Sequence, residues 1–86
     1  MNTKTLEYIL VIAKEGSLSG AAEKLYMSQP VLSRHLKKVE EELGADLFIR
    51  KHDGMELTDA GRIFVNNVRA ILHVEEELEN DLKKYK

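Results

Sequence analysis

The segment running from Ser17 to Leu36, SLSGAAEKLYMSQPVLSRHL, constrains the fold more than any other part of the chain. It reads as a short helix to about Leu25, a tight turn at Tyr26-Met27 and a second helix opened by Ser28. Ser17 is suited to cap the first of these helices and Ser28 the second, because a seryl oxygen can accept from an otherwise unpaired amide of the first turn. Pro30 fits the opening turn of the second helix, where its nitrogen owes no hydrogen bond. Ala21 and Ala22 let another helix approach closely. Two helices joined this tightly, with polar residues gathered at the second N-terminus, predict a helix-turn-helix. The second helix of such a unit enters the DNA major groove with its first residues toward the base edges.

That second helix should end at Leu43-Gly44. At about 100° per residue, Leu32, Leu36, Val39 and Leu43 fall on one stripe. The opposite side carries Pro30, Arg34, Lys37 and Lys38, with Gln29 and Ser33 at its margin. The side chains suit groove chemistry: Gln29 can pair bidentately with adenine, Pro30 can pack on a thymine methyl, and Arg34 can reach guanine or phosphate. Ser28 and Ser33 suit phosphate oxygens, and Ser33 also stands with Gln29 and Arg34 among the candidate base readers at the start of the helix. Lys37 and Lys38 fit either phosphate contact or simple solvation. Glu40, Glu41 and Glu42 occupy the last turns, away from the phosphates when the helix docks N-terminus first.

A scaffold helix is expected from Thr3 to about Glu15, with Leu6, Ile9, Leu10 and Ala13 on its apolar face and Gly16 closing it. After Gly44 the period changes to that of strands, Leu47-Phe48-Ile49-Arg50 and Met55-Glu56-Leu57, around a turn containing Gly54. This predicts a β-hairpin wing whose basic root, Arg50, Lys51 and His52, is a candidate DNA contact. Arg50 has a competing role in pairing with a carboxylate of the preceding helix. Thr58-Asp59 then opens a last helix continuing almost to Lys86. Phe64, Val68, Ile71, Leu78, Leu82 and Tyr85 form its apolar stripe, interrupted by Glu75. So long a stripe cannot be buried by the small domain alone, which predicts a homodimer through this helix. The cluster Glu75-Glu76-Glu77 is an exposed flank that can set an antiparallel register against Arg69, Lys83 and Lys84. The expected division is therefore a winged helix-turn-helix over 1–57 and a linker helix over 58–86, mainly α overall.

Composition narrows the function classes. Eighty-six residues with no cysteine hold no disulfide or thiolate metal site, and a core of this size is marginal without a partner. The apolar runs are too short for a membrane span, and the N-terminus lacks the pattern of a signal peptide, so a soluble cytoplasmic protein is expected. A net charge of −2 opposes DNA binding on average. The acidic residues gather late, however, at Glu75, Glu76, Glu77, Glu79 and Asp81, while the cations sit mid-chain. His35, His52 and His73 have no metal-ligand spacing. No metal or cofactor is expected, and no nucleophile with a base or phosphate loop suggests an enzyme.

In their order and spacing these residues resemble the N-terminal DNA-binding domain of LysR-type transcriptional regulators. The resemblance rests on Leu6 and Tyr8, Gly16-Ser17-Leu18-Ser19, Ala21-Ala22, Leu25, Ser28-Gln29-Pro30, Ser33, Glu40, Leu43-Gly44, Leu47-Phe48-Ile49-Arg50 and Leu57-Thr58-Asp59-Ala60-Gly61. It implies a dimeric bacterial transcription factor that binds double-stranded DNA through Ser28, Gln29, Pro30, Ser33 and Arg34. It also implies a following effector-binding domain of the periplasmic-binding-protein type, through which a small molecule would act, so the chain is expected to be a fragment. Asp53 and Glu56 depart from the more basic wings of many relatives, leaving Lys51 or His52 to replace a wing arginine. The alternative reading is a winged-helix protein-interaction module with little DNA affinity, supported by the acidic balance.

Overall fold

The computed structural model describes residues 1–85; Lys86, the last residue of the expected linker helix, lies outside the described residues. Three helices come first: α1 (Thr3–Glu15), α2 (Leu18–Lys24) and α3 (Gln29–Leu43). A two-stranded antiparallel hairpin follows, β1 (Phe48–Lys51) and β2 (Gly54–Leu57), and then α4 (Asp59–Leu82) with a final 3-10 turn, Lys83–Tyr85.

Local chemistry sets these boundaries. The side chains of Asn2, Ser17, Ser28 and Thr58 accept from the amides of Thr5, Gly20, Val31 and Gly61, so each α-helix opens on a capping oxygen. Gly16 and Gly44 close α1 and α3 in left-handed conformation, at φ 71° and 68°. The turn between α2 and α3 is less comfortable: Tyr26 itself adopts φ 53° and is 98% exposed.

Ile9, Ile12, Leu18, Ala21, Ala22, Leu32, Leu36 and Val39 form the core where α1, α2 and α3 meet, and Leu47 and Phe48 complete it at the root of the hairpin. Leu43 departs from the expected buried stripe of α3, being 44% exposed. Leu43 is the last residue of the helix and the chain turns back at Gly44, so Leu47 fills the interior instead. Glu40 holds that turn, accepting from the Leu47 amide at 2.7 Å.

The hairpin is fastened at both ends. Met55 N–H donates to the Gly16 carbonyl at 2.8 Å, and Thr58 N–H to the Leu47 carbonyl at 3.0 Å. A Cβ on Gly61 would run into that same Leu47 carbonyl. Only glycine therefore lets the first turn of α4 lie against the hairpin root.

The expected dimerisation stripe of α4 divides into two faces. Val68 is 2% exposed, and Phe64 packs against the core cluster. Both belong to the domain's own interior, together with Val65. The outward face consists of Ile63, Ile71, Val74, Leu78 and Leu82, continued by Tyr85 of the 3-10 turn, all exposed. On a helical wheel these six lie within about 100° of arc. Ile63 and Val74 thus replace Phe64 and Val68 in the exposed stripe. Glu75 interrupts the apolar pattern because it lies over α1, where its carboxylate accepts from the Thr3 hydroxyl at 3.1 Å.

Candidate nucleic-acid interface

Helix α3 is held from behind by Leu32, Leu36 and Val39, each buried. That burial fixes which side faces out. Gln29, Pro30, Arg34, Lys37 and Lys38 are exposed, and Ser33 is half-buried. Ser28 is exposed and its Oγ accepts from the Val31 amide at 3.4 Å, so one lone pair is spent on the cap and the hydroxyl keeps a proton to donate.

The wing stands beside this helix. In the hairpin, Phe48 pairs with Leu57, Ile49 with Glu56, Arg50 with Met55 and Lys51 with Gly54, leaving His52-Asp53 as the turn. Gln29 at the start of α3 and Arg50, Lys51 and His52 of the wing line one open groove of about 440 Å³. Ser17 and Ser19, from the start of α2, line its other side. Neither serine is an expected contact from the sequence; the tight helix pair brings both there.

Not every expected contact shares this groove. Arg34 and Lys38 lie on the other flank of α3, around a smaller depression with Val31 and His35. Lys37 is exposed but lines neither depression. His35 packs its ring against Tyr8, with centroids 5.1 Å apart, and so serves the α1–α3 contact.

Two wing cations are already engaged. Arg50 takes neither a carboxylate of α3 nor any other among the described residues; its guanidinium donates to Ser33 Oγ at 3.1 Å. Lys51 Nζ lies 2.8 Å from Glu56 Oε2. The hydrogen bond to Glu56, and then its charge, raise the Lys51 pKa above the ordinary lysine value. The wing tip is therefore nearly self-neutralised, with His52 beside Asp53. Among the described residues there is no cluster of side chains suited to a metal ion, and no helix is long and apolar enough to cross a membrane.

Comparison with known proteins matches this arrangement. The model for bacterial regulatory helix-turn-helix proteins of the lysR family covers residues 3–62, from the first residue of α1 into the first turn of α4. The chain is 42% identical over 76 residues to the HTH-type transcriptional regulator ClcR of Pseudomonas putida, covering 88% of this chain and 26% of that protein. It is 46% identical over 74 residues to BsdA of Bacillus subtilis (strain 168), covering 85% and 26% respectively. It thus spans about a quarter of the length of these curated relatives. The crystal structure of a CbnR DBD–DNA complex superposes with a TM-score of 0.93 at 33% identity, over 99% of this chain and 98% of that one. With the capped helix pair, the hairpin wing and the long α4 all in place, the chain belongs to the lysR family of bacterial regulatory helix-turn-helix proteins.

Proposed function

We propose that this chain binds double-stranded DNA in a sequence-specific manner, as the DNA-binding part of a bacterial transcriptional regulator. The observation that carries the proposal is the outer face of α3: Gln29, Pro30 and Arg34 are exposed at its opening, set beside a wing that shares a groove with Gln29. The near full-length superposition on a CbnR domain crystallised with DNA supports the same reading. In it, Gln29, Pro30, Ser33 and Arg34 meet base edges, while Ser28, Lys37 and Lys38 meet phosphates. Lys51 and His52 contribute the weaker wing contact.

The protein acts as a homodimer through the outer face of α4. Its six exposed apolar residues favour a second copy, whose own α4 offers an identical face. Two α3 helices related by the dimer two-fold then read two half-sites about one helical turn of DNA, or a multiple of it, apart. Response to a small molecule is assigned to a further domain, in keeping with the chain's quarter share of its relatives, and the protein works in the cytoplasm. The relatives reported above are named transcriptional regulators, and neither name points to a protein-only module.

Selection of bound sequences from a random DNA pool at two salt concentrations tests the proposal. The expected result is enrichment of a two-fold-related site, with Arg34→Ala costing about 1–3 kcal/mol on that site. A folded, dimeric chain that enriches nothing at either salt concentration defeats it.

A further inference from the structure

One charged hydrogen bond joins the wing to α3. Arg50, exposed on β1, donates to Oγ of the half-buried Ser33, one turn beyond Gln29. A serine hydroxyl has one proton and two lone pairs, so left to itself it reads a hydrogen-bond donor or an acceptor with equal ease. Here the guanidinium takes one lone pair, and its positive charge beside the oxygen repels the partly positive hydrogen of any second donor that would approach the other. No group among the described residues takes the hydroxyl proton. Donation from a cation also polarises the hydroxyl and makes its own proton a better donor.

Resting on the DNA reading above, we infer that Arg50 is a positioning residue for base recognition: it fixes Ser33 as a donor, so that α3 selects an acceptor at the base Ser33 faces. In the major groove the acceptors are purine N7, guanine O6 and thymine O4, and the groups rejected are the amino groups of adenine and cytosine. Arg50 thereby contributes to specificity through a residue on another element. The fixed fork of its guanidinium is what the role requires. A lysine keeps the charge but carries a rotating ammonium that holds no single direction.

The test measures affinity for all four bases at each position of the selected site, using the 86-residue chain as wild type, Ser33→Ala, Arg50→Ala, Arg50→Lys and the double variant Ser33→Ala with Arg50→Ala. Both altered side chains lie outside the core, and thermal melts followed by circular dichroism check that every variant folds. Ser33→Ala and Arg50→Ala are expected to flatten the preference at the same position by about three- to tenfold, and the double variant is expected to be no flatter than Ser33→Ala. Arg50→Lys should retain the wild-type salt dependence yet read that position as loosely as Arg50→Ala. If Arg50→Ala weakens every site equally, reduces the salt slope by about one unit and adds to Ser33→Ala, the arginine is a phosphate contact and the inference fails. It fails equally if the two variants act at different positions. A folded wild-type chain that enriches no site defeats the DNA reading itself, and the inference with it.

Discussion

Glu56 shows how a single side chain can subtract from an interface. Its carboxylate lies on the same face of the hairpin as Lys51 and holds the lysine by hydrogen bond and charge, so a cation that could meet a phosphate is already matched. The raised Lys51 pKa makes the pair's contribution to stability fully present below the ordinary lysine value of 10.5 and lost only as pH rises through the higher folded value. The pair is intact across neutral pH. Glu56→Gln is therefore expected to strengthen DNA binding and to steepen the salt dependence by about one counterion, as read from titrations at several ionic strengths. Two further residues are constrained by backbone geometry. Tyr26 bears a left-handed φ of 53° with its ring in solvent. Asparagine tolerates that conformation better, so Tyr26→Asn should raise unfolding stability by about 0.5–1 kcal/mol in urea titration. Gly61→Ala pushes a methyl into the Leu47 carbonyl and should lower stability by about 1–3 kcal/mol in the same measurement.

At the scale of elements, α4 carries two apolar faces with different duties. Val65 and Val68 look into the domain, while Ile63, Ile71, Val74, Leu78, Leu82 and Tyr85 look away from it. Substitution separates the two. Val68→Ala should cost about 2 kcal/mol of unfolding free energy and leave sedimentation of the folded protein unchanged. If α4 pairs as proposed, Leu78→Glu should yield a monomer in sedimentation and melt the terminal turns of α4, because a helix end without tertiary contacts holds little helix in water. The sequence stripe merged these faces because 3.6-residue periodicity identifies apolar positions without saying which neighbour each will meet. Phe64 and Val68 follow the same spacing as Ile71 and Leu78, yet they lie where α4 still crosses the domain. Beyond Glu75, whose carboxylate reaches Thr3, the helix has left it.

For the molecule as a whole, the long axis of 50 Å against transverse extents of 27 and 20 Å reflects a small core with α4 standing out from it. A domain of this length buries a modest fraction of its chain, so the proposed dimer would add directly to stability. The midpoint of thermal unfolding should rise with protein concentration, since mass action favours the folded dimer, and calorimetry at two concentrations checks it. What the sequence determined by itself is local. Ser17, Ser28 and Thr58 as caps, Gly16 and Gly44 as helix ends, the turn at Tyr26-Met27 and the outward side of α3 all follow from contacts within one helical turn. Residue type and spacing carry that information. The division of α4 into two faces, the Arg50–Ser33 bond and the Lys51–Glu56 pair were decided only by tertiary structure. Each depends on hairpin register or on the angle at which one element crosses another, and those are set by how Leu47, Phe48, Val65 and Val68 fit a shared core rather than by any residue's neighbours along the chain.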